Sequence, residues 1–147
     1  MIRANRGFTL VELMIVLALI AIIASFAVPQ FGRLIDNNRV VSTTNSIVGL
    51  LSFARSESIR RGAKVTAVAQ NDSMAATLAS DSSLIRQIEP ASGSIDVTDN
   101  AVTFRANGLT TSAANVTFTV CADDSAFGRL VTVTPGGRVE TIEVNCP

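Results

Sequence analysis

Between positions 13 and 28 the only polar side chain is that of Ser25, and a chain carrying such a stretch has to hide it. Extended by Phe8, Leu10 and Val11, the run approaches the roughly 20 residues that cross a bilayer as a helix. In water it would form an exposed apolar surface of the kind that marks an interaction site. The chain has 147 residues, room for one compact domain besides this segment. Its mean hydropathy of +0.40 and its 48% apolar content owe much to the run, because the remainder reads as an ordinary Ser-, Thr- and Val-rich domain. Arg3 and Arg6 precede the run, as a short basic leader on the cytoplasmic side would.

Three readings of this N-terminus compete. An ordinary secretory signal would be removed after Ala27, where Ser25-Phe26-Ala27 supplies small residues, and would release a soluble domain starting at Val28. A plain signal anchor would stay in the membrane. Glu12 fits neither, since a carboxylate near the start of an apolar helix costs about 2.5–3.5 kcal/mol if it reaches the bilayer centre. A charge in that place is a functional feature and asks for a partner. Cleavage between Gly7 and Phe8 would create one, the new α-amino group of Phe8, which a neighbouring subunit's Glu12 could neutralise.

The stretch Arg6-Gly7-Phe8-Thr9-Leu10-Val11-Glu12-Leu13 resembles the cleavage motif of type IV pilins and type II secretion pseudopilins, and Pro29 matches a proline common in their helices. The resemblance implies removal of a leader, 1–7, by a prepilin peptidase cutting after Gly7, and N-methylation of Phe8. It also implies a docking role for Glu12. Segment 8–28 would be a single transmembrane helix in the inner membrane before assembly and filament core afterwards. Segment 29–62 would be an amphipathic helix continuing into the domain, and 63–147 a β-rich domain in the periplasm or outside the cell. The partners implied are the peptidase, other pilins or pseudopilins met through the N-terminal helix, and an inner-membrane assembly platform.

Past Pro29, Phe31, Leu34, Val41, Val48, Leu51, Ala54 and Ile59 recur at helical spacing, and Val48, Leu51, Ala54 and Ile59 are expected in the core. Pro29 is expected to kink the helix or loosen a turn. Arg60 and Arg61 suit the negative end of the helix dipole and Gly62 the C′ position, so the helix should stop there. Thereafter the period changes to two, with strands expected at 64–69, 74–78, 84–89, 95–98, 101–105, 116–121, 130–134 and 139–144. Turns are expected at Asn71-Asp72, Ala91-Ser92-Gly93, Asp99-Asn100, Asn107-Gly108, Asp123-Asp124-Ser125 and Pro135-Gly136-Gly137. Segments 80–83 and 110–115 read as mobile loops. The whole is an α+β architecture, a long helix packed on a mostly antiparallel sheet.

Cys121 and Cys146 are the only two cysteines. In an exported chain an even pair reads as a disulfide, and in a cytosolic one as two unrelated thiols, so the N-terminus decides in favour of a bond. Closing that loop would contribute about 3.5 kcal/mol through chain entropy. A catalytic thiol is disfavoured, because the spacing is not CxxC and the chain has no His to activate it. No P-loop, nucleotide fingerprint or triad is visible, so no cofactor and no enzymatic activity is expected. The segment from Leu51 to Gly62, Val102-Thr103-Phe104 with Gly108, Val120-Cys121 and Gly137-Arg138-Val139 resemble the GspH/FimT group of pseudopilins and minor pilins. The cysteines favour its minor-pilin branch, with a type II secretion pseudopilin as the alternative.

Three surface features invite a ligand. Arg55, Arg60, Arg61 and Lys64 gather near the helix end around Glu57, as a basic patch or as a solvated end complementing its dipole. Some FimT-like pilins of competent bacteria bind DNA through a C-terminal Gly-Arg-x-Arg motif. Here Gly137 and Arg138 remain, but Glu140 stands where the second arginine would be. From Glu89 onward three basic residues (Arg105, Arg129, Arg138) face seven acidic ones (Glu89, Asp96, Asp99, Asp123, Asp124, Glu140, Glu143), a poor balance for phosphate. The acidic turns at 123–125 and at Asp96, Asp99 and Asn100 lack the spacing of a known calcium loop, and no metal is expected.

Overall fold

The computed structural model describes residues 8–89, 95–123 and 126–146. The leader with Gly7, the expected turn at 91–93, and Asp124 with Ser125 lie outside the described residues. One helix, α1 (Leu10–Arg61), is followed by eight strands: β1 (Val65–Gln70), β2 (Ser73–Leu78), β3 (Leu84–Ile88), β4 (Ile95–Val97), β5 (Asn100–Phe104), β6 (Val116–Ala122), β7 (Phe127–Val133) and β8 (Val139–Asn145). The chain divides into two units, Met1–Leu34 and Ile35–Pro147, and α1 contributes to both. Its helical assignment includes position 29.

Among the described residues of the first unit, no second element covers the helix. Leu13, Ile15, Leu17, Ile20, Ile23 and Phe26 are all exposed. A helix of this length and composition can cross a membrane.

The second unit is built round the other half of α1. Val40, Ile47, Leu50, Leu51 and Ala54 are buried there, with Thr43, Thr44 and Ser58 among them. This corrects the expected stripe. Leu51 and Ala54 are in the core, Val48 lies half-buried at its margin, and Ile59 is 53% exposed. The physical reason is the threonines: a template of apolar residues alone skips positions 43 and 44 and drifts to the adjacent face. Thr44 can be buried because its hydroxyl donates to the Val40 carbonyl at 2.7 Å. The helix stops where expected. Gly62 has φ +62, its N–H reaches the Ile59 carbonyl, and the Ala63 N–H reaches the Ser58 carbonyl, the double closure of a Schellman motif.

The strands form two four-stranded sheets rather than one, in the orders β3-β2-β1-β5 and β4-β6-β7-β8, with every pairing antiparallel. Alternation explains which faces turn inward. In the first sheet Val65, Ala67, Ala69, Met74, Ala76, Val102 and Phe104 are buried; in the second Phe118, Val120, Val131 and Val133 are. The Asn71-Asp72 turn joins β1 to β2 directly after the Gln70–Ser73 pair. Segment 110–115, expected as a loose loop, is tied down: Thr110 is buried and bridges to Phe104, and the Thr110 N–H donates to the Pro135 carbonyl at 3.0 Å.

The disulfide forms between Cys121 and Cys146. Cys121 lies on β6 and Cys146 just past β8, so the bond passes over β7, which runs between them. Gly128 on β7 makes this crossing possible. A Cβ there would overlap the Cys146 sulfur and stand 3.0 Å from that of Cys121.

Candidate functional site: the helix start and the domain surface

At the start of α1, Thr9 and Glu12 cap each other. The Thr9 N–H donates to Glu12 Oε2 at 2.9 Å, the Thr9 hydroxyl to the same oxygen at 3.0 Å, and the Glu12 N–H to Thr9 Oγ1 at 3.2 Å. This reciprocal arrangement is a capping box, in which a Ser or Thr and a Glu three residues on satisfy each other's orphan donors. The Thr9-x-x-Glu12 spacing carried that signal, and reading Glu12 only as a charge seeking an intermolecular partner missed it. Within one chain the carboxylate already has partners, and the main-chain donors of Thr9 and Glu12 are satisfied. Phe8, which would head the processed chain, is 87% exposed.

At the other end of α1 the basic cluster separates into two arrangements. Arg60 and Arg61 both close on Glu57: Arg60 Nε to Oε1 at 2.9 Å, Arg60 Nη2 to Oε2 at 2.6 Å, and Arg61 Nε to Oε2 at 2.6 Å. These bonds, Arg60's first, hold the Glu57 carboxyl down at a pKa of about 2. Arg55 turns elsewhere. Its Nε donates to the Gly108 carbonyl at 3.1 Å and its Nη2 to the Gly136 carbonyl at 3.4 Å. Gly108 (φ +76) and Gly137 (φ +75) both need the left-handed region. A Cβ on Gly108 would press on Ile59 at 2.9 Å, and one on Gly137 would overlap the Gly108 carbonyl. One helix arginine and two glycine turns therefore lock together, and Gly108 and Gly137 are the glycines of the scattered matches.

Arg138 stands beyond this lock, 77% exposed in its side chain, and pairs with Glu140 at 3.0 Å. The residue that departs from the DNA-binding motif is thus the one that neutralises its remaining arginine. Asp96 accepts from Asn71 at 2.8 Å, and among the described residues no three acidic, Cys or His side chains converge as metal ligands.

Comparison with known proteins places these features. The model of the family described as "Type II transport protein GspH" matches residues 43–137, which covers the lock and most of both sheets. The chain belongs to the GspH family. The model described as "Prokaryotic N-terminal methylation motif" matches residues 2–28 of this GspH-family chain. Two Pseudomonas aeruginosa proteins named "Fimbrial protein" are each 39% identical to it over 54 residues, 37% of this chain and 35% of theirs. The match spans about a third of the length of those relatives. Crystal structures of the type IV minor pilin FimU of Pseudomonas aeruginosa share the fold. One has a TM-score of 0.64 at 18% identity, covering 71% of this chain and 89% of FimU. Another crystal form gives 0.59 at 21%, covering 69% and 90%. A type IV pilin-like fold of the minor pilin and pseudopilin kind follows.

Proposed function

We propose that this GspH-family chain is a minor type IV pilin: a membrane-held precursor, cut after Gly7 by a prepilin peptidase and methylated on Phe8. It then joins a pilus through its N-terminal helix to prime assembly or sit near the tip. The observation that carries this reading is a methylation motif heading an exposed apolar helix on a domain with the fold of FimU. Such a helix is stored in lipid as a monomer and covered by its neighbours' equivalents in a filament, so moving it from bilayer to filament leaves no apolar face in water. On assembly Glu12 exchanges its capping partner Thr9 for, or shares it with, the Phe8 ammonium of an adjacent subunit.

Two substitutions test this and separate capping from charge. Glu12→Ala removes both and should leave membrane insertion intact while abolishing incorporation into sheared filaments. Glu12→Gln keeps a capping-box acceptor at the same position but not the charge. It should fail as Glu12→Ala does. Normal incorporation of the glutamine variant would show that only the cap matters, and normal incorporation of both would refute docking through Glu12.

The second reading is a minor pseudopilin of a type II secretion system, favoured by the description of the matching family. Deletion scored in parallel for surface pili and for secreted proteins distinguishes the two. Lost pili with normal secretion support the pilin reading, and normal pili with trapped exoproteins support the pseudopilin. A DNA-capturing role is tested by a salt-dependent shift of duplex DNA lost in Arg138→Ala; the Arg138–Glu140 pair argues against one.

A further inference from the structure

Four strands end a sheet, and they are not equally protected. β3 is bulged at Ala76/Thr77 of its partner, β4 has three residues, and β5 is bridged by Thr110. The fourth, β8, has seven residues in unbroken register with β7 and no proline or lysine. Edges of that kind invite another strand. The Thr134 N–H bonds the Arg138 carbonyl and the Cys146 N–H the Ala126 carbonyl, one at each end of the same ladder. By antiparallel alternation Glu140, Ile142 and Val144 then bond β7, whereas the main-chain groups of Val139, Thr141, Glu143 and Asn145 face the open side.

The side chains point the same way. Thr141 is the cross-strand partner of buried Val131, yet it is exposed, so no described residue covers the inward face of the sheet at β8. Beside it lies an open groove of about 450 Å³ lined by Val48, Ser52, Arg55 and Ile59 from α1 and by Arg138 and Val139. Arg55 is part-buried, fixed by two main-chain carbonyls, and among the described residues no carboxylate pairs with it. The other arginine of the groove is already neutralised by Glu140. One fixed cation over an aliphatic floor suits a protein carboxylate flanked by aliphatic residues. It does not suit a nucleic-acid backbone, which needs several cations in a row.

We propose that the free edge of β8 and the adjoining groove receive an extended segment of a neighbouring pilin-type subunit. Its main chain pairs with Val139–Asn145 of β8, its aliphatic side chains cover Val48 and Ile59, and its Asp or Glu meets Arg55. The identity of the partner rests on the filament reading above; the edge and the cation do not.

The test is photo-cross-linking of the full chain in its own cells, with a benzophenone amino acid at Ser56 on the helix wall of the groove and, as a control, at Thr119 on the outer face of β6. The expected result is an adduct from Ser56 only, mapping to a pilin-type subunit at a segment containing an Asp or Glu. Thr141→Pro disables an amide that β7 does not use, and Ser52→Glu places a carboxylate one turn from Arg55 so that the chain occupies its own site. Each should reduce the adduct about tenfold while the melting temperature of the purified chain is unchanged. If Ser56 yields no such adduct while the chain is still incorporated into filaments, the proposal is overturned and the filament reading stands. An adduct to nucleic acid, or one insensitive to both substitutions, also overturns it. A chain that enters no filament at all removes the filament reading and the proposal's partner together.

Discussion

The two ends of α1 use apolar side chains in opposite ways. Phe26 is 74% exposed in the first unit, and Leu50 is 1% exposed in the second. Both belong to one continuous helix. What differs is the company. The second unit supplies two sheets whose inward faces alternate with the helix stripe, so its half of α1 is stabilised within one chain. In the first, the described large apolar side chains of the helix are exposed, so its half calls for an apolar environment in place of a core. On the filament reading, folding and assembly divide along this single element, and substitutions should sort by which half they touch.

The largest expected effect comes from comparing two phenylalanines. Phe104 on β5 is fully buried in the domain core, so Phe104→Ala should destabilise the domain by about 3–5 kcal/mol. Phe26→Ala should leave thermal unfolding of the same detergent-solubilised chain unchanged and weaken filament incorporation instead. A drop in melting temperature with Phe26→Ala would mean that the first unit shares in the domain's stability and that the two halves of α1 are not independent.

Next comes the disulfide. Cys121→Ser with Cys146→Ser should cost about 3.5 kcal/mol in denaturant titration if the bond acts by constraining the unfolded chain. Gly128→Ala should cost about 1–3 kcal/mol, because a methyl group has to displace the bond that crosses it. Made together, the substitutions should cost clearly less than their sum, since the serines no longer hold two sulfurs above position 128. Some cost should persist, as the added carbon also stands 2.9 Å from the Val120 carbonyl. Full additivity would show that the glycine answers to the strand and not to the bond.

This pair also shows what a sequence displays and what it conceals. The cysteines advertise a bond, but nothing next to Gly128 says that a bond passes over it, because the crossing exists only once β6, β7 and β8 are side by side. The same holds for the split into two sheets: alternation located all eight strands near their observed places, yet it carries no information on which strand pairs with which. Thr43 and Thr44 fall outside a stripe drawn from apolar residues alone, yet both are buried, Thr44 by satisfying its hydroxyl on its own helix. Gly62, by contrast, was legible as a helix stop because its cause is local. Thr9 and Glu12 were local too, and only the attention given to the charge obscured the cap. Arg55 was grouped with Arg60 and Arg61 by proximity in sequence, whereas a helix turns those side chains toward different neighbours.

The smallest effect separates the two ends of α1 by pH. Glu57 has its pKa lowered to about 2 by Arg60 and Arg61, against an unperturbed carboxyl near 4.5. Its depressed value means that the folded state binds this proton less readily than the unfolded one. The contribution of the cluster is therefore fully present above about pH 4.5 and is lost as the pH falls toward 2. Glu57→Gln removes the titrating group, so the difference in melting temperature between wild type and variant should be constant from pH 7 to about 5 and shrink steadily below that. The capping-box carboxylate at the other end lies in the first unit, and Glu12→Gln should leave this acid limb of the domain's melting curve untouched. If the gap between wild type and Glu57→Gln were the same at pH 3 as at pH 7, the Arg60–Glu57–Arg61 cluster would contribute nothing to folding and would be a solvated end of the helix only.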